Sequence, residues 1–424
     1  MKINISKKPY ILKNNDFRTI QIQVMFPIKF RKEDLAFNNL LPNMLQFMNK
    51  KYPSEEEFVL AKKELYVLGT HCGYFGIGLN GYFGFNLIIP DTDSLKEDLL
   101  EEQFSLFSEM IYNPLVKNYC FSSFELEKEK KNLLIGIDNA LKNIGPYQNI
   151  RLREIVDEDG FLSLDLSRNT YLIEEVTTSN LYDYYRKNII DNSPVIFVMG
   201  NVDENRINEL CDKYLYKNFK DKVFDSELYY FMKLRDNILE VVDESSFNNS
   251  CLSIVYKLKD ATKDDYIYLN FIRDLLTSLS SRILSKILRD DLEIVYSVQV
   301  IPYTHYGLLE VKAFINKDNM EITKEKIIDV INSLKNPDII RDGVSNLIER
   351  RRIDVIKKKD NKGLIFEDFI DSTLGISNTL EDYYEKYKNI SCEDISEFVN
   401  RLVLDTIYFL KEKEDEQYRD NYFR

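Results

Sequence analysis

The stretch FRTIQIQVMFPIKFRKEDLAFNNLLPNMLQ, residues 17–46, alternates apolar and polar positions as a half-buried strand does, crosses a charged loop, and enters a helix-period apolar pattern. A second stretch, CLSIVYKLKDATKDDYIYLNFIRDLLTSLS at residues 251–280, follows the same plan. The ends of the two halves also match: residues 173–204 and 387–415 each read as a Thr/Ser-capped helix followed by a short, dense apolar strand. The chain therefore reads as a tandem duplication. The expected fold class is α+β, with two homologous tandem domains, each a largely antiparallel sheet with helices packed on one face. The expected boundaries are 1–216, a charged linker at 217–237, and 238–424.

The totals agree with that division. At 424 residues the chain exceeds the size at which one hydrophobic core keeps growing, and 44% hydrophobic residues supply ample core material. A formal net charge of −13 disfavours nucleic acid and anionic membrane surfaces, because a phosphate backbone repels such a chain. The N-terminal residues lack an apolar signal-peptide core and no window is long enough to span a bilayer, so the expected location is cytoplasmic, with no membrane partner. The five cysteines, Cys72, Cys120, Cys211, Cys251 and Cys392, are odd in number and scattered, which suits reduced, mostly buried thiols.

Six of the fourteen glycines fall between Gly69 and Gly84, in GTHCGYFGIGLNGYFGFNLIIP. No Gly-Lys-Ser/Thr follows, which excludes a phosphate loop. The pattern predicts a strand pair turning at Asn80-Gly81 as a type I′ hairpin, with the glycines admitting close backbone approach or a peptide-contacting surface.

The stretch NNLLPNMLQFMNKKYP at residues 38–53, together with SRILSKILRDDLEIVYSV in the second half and the duplicated plan, resembles the insulinase-like (pitrilysin-type) metallopeptidases, in their short two-domain bacterial branch related to the mitochondrial processing peptidase. Active members carry an inverted zinc motif, H-x-x-E-H, and a glutamate ligand on a later helix. Zinc needs three protein ligands and a water, and a carboxylate must take that water's proton. Aligned through the following Lys-Lys-Tyr-Pro, the motif falls on residues 39–43: Asn39 and Asn43 stand for the histidines and Pro42 for the general base. On the later helix, residues 123–143, the glutamate position reads Leu133-Leu134-Ile135. Neutral amides are poor zinc ligands. Pro42 further predicts a helix that begins late, capped by Asn38 or Asn39, since proline is tolerated in a first turn. The remaining histidines, His71 and His305, lie in different halves, away from other ligand types at helical spacing. The resemblance thus implies an inactive homologue, with no metal in this chain and zinc expected only in a partner.

One part of the family's machinery is matched. Residues 280–298 hold Arg289 and Tyr296 at the spacing of a pair that, in the resembling enzymes, binds the substrate's scissile region and donates to its carbonyls. The bland alternative is a helix-end ion pair of Arg289 with Asp290, Asp291 or Glu293 and an ordinary strand tyrosine. Residues 291–294 also depart from the family, which usually places a glycine before the apolar residue. The resemblance implies a non-catalytic subunit of a heterodimeric peptidase, with a zinc-bearing insulinase-like subunit and a peptide substrate as partners. The alternative is a scaffold or peptide-binding assembly protein without a share in proteolysis.

Overall fold

The computed structural model describes residues 2–277 and 283–413. Two compact units emerge, one made of Met1–Asp138, Leu164–Leu228 and Lys362–Ser377, the other of Asn139–Ser163, Tyr229–Asn361 and Asn378–Arg424. In unit 1 the strands β1 (Tyr10–Lys13), β2 (Thr19–Lys29), β3 (Gly69–Ile77), β4 (Asn80–Pro90) and β5 (Val195–Gly200) form one sheet in the order β1-β5-β2-β4-β3. β1 and β5 run parallel and the other neighbours antiparallel. The alternation of β2 sends Ile20, Ile22, Val24, Phe26 and Ile28 into the main core. There they meet Ala36, Leu40, Leu41, Met44 and Leu45 of helix α1 (Leu35–Gln46). Each fully buried large side chain contributes roughly 1.5–3 kcal/mol relative to exposure. A second helix of this half, α2 (Ser123–Leu141), leads the chain out of unit 1.

Unit 2 repeats the plan strand for strand. β6 (Leu239–Ser245), β7 (Ser250–Leu258), β8 (Val295–Tyr303), β9 (Leu308–Ile315) and β10 (Leu402–Glu412) stand in the order β6-β10-β7-β9-β8, with β6 and β10 parallel. Leu252, Ile254, Tyr256 and Leu258 of β7 alternate into a core shared with the helix Tyr266–Thr277. Identical strand order and parallel pairing in two sheets is the duplicated α+β design.

The division of the sequence differs from the contiguous halves 1–216 and 238–424. Helix α3 (Ile144–Val156) follows α2 in sequence but belongs to unit 2, where Leu152, Ile155 and Val156 cover the second face of the sheet. Helix α4 (Lys362–Leu374) lies in the second half of the sequence and belongs to unit 1, with Phe366 and Leu374 against Met25, Val195, Phe197 and Met199. Each sheet thus has its own helical layer on one face and a helix borrowed from the other half on the opposite face. The segment 217–237 is also more than a linker, because Lys222–Asp225 pairs antiparallel with Lys2–Ile5 in unit 1.

Two local expectations change. The hairpin between β3 and β4 turns at Gly78-Leu79, two residues earlier than Asn80-Gly81, since Ile77 is already paired with Asn80. Gly78 has φ +58°, and a Cβ there would meet the Leu228 carbonyl oxygen at 2.1 Å, so crowding as well as backbone sign demands glycine. Positive φ at the first central residue alone is the II′ pattern. The second change is in α1, which starts at Leu35 and runs straight through a buried Pro42. The missing N–H leaves one carbonyl of the preceding turn without its usual donor. Packing holds the helix nonetheless, with Leu40, Leu41 and Leu45 at most 1% exposed. Cys72, Cys211 and Cys251 are buried and all five thiols are free. Among the described residues, no helix is long and apolar enough to cross a membrane.

Candidate functional site

Asn39 and Asn43 stand one helical turn apart on the exposed side of α1, while Pro42 faces the core. The Asn39 amide is committed to its own helix, Nδ2 donating to the Leu35 carbonyl at 2.8 Å. Beside it, Asn38 is buried and its Oδ1 accepts from the Tyr184 hydroxyl at 2.7 Å. Burial, with the Asp34 carboxylate adding to it, pushes the Tyr184 phenol far above its ordinary range, so it remains a neutral donor. Asn43 opens onto a cleft of about 300 Å³ shared with Met44, Phe47, Glu55, Glu125 and Glu129. On α2, Leu133 packs against the core and Leu134 and Ile135 are exposed. Two amides, a proline and a leucine pair do not fit zinc: they offer neither an imidazole lone pair nor a thiolate or carboxylate charge. Among the described residues, no group of three or more His, Cys, Asp or Glu is placed to hold a metal ion.

The segment carrying Arg289 and Tyr296 is built differently. Residues 280–282 at its start lie outside the described residues. The helical turn Lys286–Asp291 ends with Leu292 N–H donating to the Ile287 carbonyl at 3.1 Å, and Ile294 N–H donates to the Leu288 carbonyl at 3.0 Å. Between them Glu293 adopts φ +54°. The resemblance implies a glycine before the apolar residue within 291–294, and here the left-handed turn forms without one. Tyr296 is the extra residue of a bulge in β8: Val295 pairs with Ile315 and Ser297 with Phe314, leaving Tyr296 unpaired between them. Tyr296 is 61% exposed. Arg289 is also exposed, and its Nε donates to Asp290 Oδ1 at 3.0 Å. The bland reading of Arg289 as a local ion-pair partner is therefore realised, but a surface pair of this kind is worth about 0–1 kcal/mol and leaves the guanidinium available. The turn and the first residue pairs of β8 set both side chains at one end of unit 2's edge strand.

One feature of unit 1 was visible only as glycine density. β3 is an edge strand, and its nine residues, GTHCGYFGI, contain no Lys, Arg, Asp, Glu or Pro to block pairing with another strand. Gly73 pairs with Gly84 and Gly76 with Gly81, and the Tyr74 ring lies over Gly81, where a Cβ would meet its hydroxyl at 2.4 Å. Exposed His71 and the stacked rings of Phe75 and Tyr82, 5.2 Å apart, occupy the opposite face.

Comparison with known proteins agrees with this architecture. A family model described as Peptidase M16 inactive domain matches residues 175–345. The probable inactive metalloprotease YmfF of Bacillus subtilis (strain 168) is 24% identical over 406 residues, covering 95% of each chain. Among solved structures, a conserved protein from Enterococcus faecalis V583 aligns with a TM-score of 0.85 and 18% identity over 98% of this chain and 100% of that one. A protease from Helicobacter pylori aligns with a TM-score of 0.77 and 15% identity over 97% and 99%. The duplicated sheets, the amides and proline at the zinc-motif positions, and these relatives agree: residues 175–345 match a Peptidase M16 inactive domain, and nearly the whole chain is similar to a probable inactive metalloprotease.

Proposed function

We propose that this chain is the non-catalytic subunit of a heterodimeric insulinase-like peptidase. It completes the substrate chamber and supplies Arg289 and Tyr296 to a zinc-bearing partner that processes a peptide. The observation that carries the reading is selective retention: the turn at Glu293 and the bulge at Tyr296 keep two exposed donors, while residues 39–43 have lost every metal-binding group. A guanidinium and a phenol are suited to donate to a scissile carbonyl whose oxygen gains charge during attack. The unblocked edge of β3 supports the same reading, since an extended peptide adds to such an edge through main-chain hydrogen bonds. Mixing the chain with its zinc-bearing partner should give peptide cleavage, and Arg289→Ala should abolish it while the two chains still co-elute. Full turnover by Arg289→Ala would remove the proposal.

The Arg289–Asp290 ion pair favours a second reading, in which the chain is a scaffold or peptide-binding assembly protein and both side chains are incidental. Under it, Arg289→Ala changes stability by no more than about 0.5 kcal/mol and affects nothing else.

A further inference from the structure

The two borrowed helices rest on seats of opposite character. α4 enters a mostly apolar seat, where Phe366 and Leu374 meet Met25, Val195, Phe197 and Met199, and Lys362 Nζ donates to Thr19 at its edge. Under α3, apolar contacts from Leu152, Ile155 and Val156 surround a polar centre. Ser253 of β7 and Glu310 of β9 are 0% exposed, and Lys312 of β9 is 2% exposed. Ser253 is paired with Lys312 across the ladder. Glu310 Oε1 accepts from the Ser253 hydroxyl at 2.7 Å and lies 3.4 Å from Lys312 Nζ, while its Oε2 accepts from the Tyr303 hydroxyl at 2.9 Å. α3 closes the set from above: the Gln148 amide donates to Ser253 Oγ, and Asn149 Oδ1 accepts from Lys312 Nζ.

Such a set contributes little net stability, because desolvating the charges offsets their attraction. Its strength lies in discrimination. A helix with an apolar face on this seat leaves the buried ammonium and hydroxyl without their outer partners, and an unsatisfied buried polar group is costly.

We propose that the Ser253–Glu310–Lys312 set, read by Gln148 and Asn149, is a recognition key that admits α3 to unit 2 and rejects an apolar helix of the α4 kind. The second sheet thereby accepts α3 and not an apolar helix in its place.

The test is hydrogen exchange on the full chain. Gln148→Leu with Asn149→Leu makes α3 more apolar, and general hydrophobic packing would make it dock better. The key predicts instead that amides 144–156 exchange at least about ten-fold faster, because groups on the sheet lose their partners. Adding Ser253→Ala, Glu310→Leu and Lys312→Met should return protection to within about three-fold of the native chain, since an apolar helix then meets an apolar seat. Unchanged protection in the double variant overturns the proposal. So does failure of the five-fold variant to recover, which would place the fault in the helix itself. If the double variant unfolds outright, folding of the five-fold variant supports the key and its failure refutes it.

Discussion

α1 of unit 1 and the turn into β8 of unit 2 each contain a residue that backbone sterics disfavour. Pro42 removes an N–H from the interior of a helix, and Glu293 holds φ +54°, a region that favours glycine. The consequences diverge. Around Pro42 the chemistry has gone with the backbone donor, whereas Glu293 preserves the course of the turn and leaves Tyr296 facing solvent. In both places packing outweighs local propensity: Leu40 and Leu41 hold α1 across its proline, and fully buried Leu288 with nearly buried Val295 holds the turn around Glu293. Tolerance of a backbone fault is thus a property of the surrounding core, and what a fault does to function depends on which side chains it carries to the surface.

The largest expected effect tests whether the retained turn has a task. In the two-chain enzyme proposed above, Tyr296→Phe would remove one phenolic donor and should lower kcat/KM by about 10²–10³, the cost of losing one donor to a developing oxyanion. Steady-state kinetics decide it, and a variant that turns over like the native complex makes unit 2 as chemically silent as α1. The next effect tests the α1 side. Pro42→Ala restores the helical N–H, worth about 3 kcal/mol, and gives up roughly 1–2 kcal/mol of ring burial and unfolded-chain restriction, for a net gain of about 1–2 kcal/mol in denaturant unfolding. The variant should still bind no stoichiometric zinc by calorimetry. Lower stability would mean that α1 depends on the proline for its path.

A third prediction concerns the seat of α4, the apolar counterpart of the α3 seat. Burial, with Glu367 and Asp368 adding repulsion, raises the Asp371 carboxyl to about 6. A folded-state value above the unfolded one means that the folded chain binds more protons between the two values. Stability from this group therefore rises as pH falls from about 7 toward 4, and the penalty is fully present above pH 7. The side chain is partly solvated, so Asp371→Asn should stabilise by on the order of 1 kcal/mol at pH 8, with the gain vanishing near pH 4. Denaturant midpoints at the two pH values check the sign.

Much of this was legible in the sequence because its signals are local or periodic. The alternation in β2 and β7 and the capped helices before β5 and β10 predicted the duplicated sheets, and the resemblance to the insulinase-like peptidases, laid over residues 39–43, implied the missing metal ligands. What escaped depends on distant contacts. Nothing in Phe366 or Leu374 marks them as partners of Val195 and Phe197, and nothing in Gln148 names Ser253, so the borrowed helices could not be read from their own residues. The β3–β4 turn was misplaced because Asn80-Gly81 is a strong local hairpin signal, while the crowding of Gly78 by Leu228 is a tertiary fact. The late start expected of α1 failed likewise, since proline's cost is local and the compensating burial is not.

The smallest effect returns to Glu293 and separates the backbone of the turn from its chemistry. A non-glycine residue in the left-handed region is strained by about 1–2 kcal/mol, and glycine there gives back roughly 0.5–1 kcal/mol through the freedom it adds to the unfolded chain. Glu293→Gly should therefore stabilise the protein by only about 0.5 kcal/mol, with Tyr296 as exposed as before. Activity of the proposed complex should be unchanged, because the turn already has the geometry that glycine would permit. A marked rise in activity would show that Glu293 holds Tyr296 away from its working position, and the retained turn would then be a partial loss of the same kind as α1.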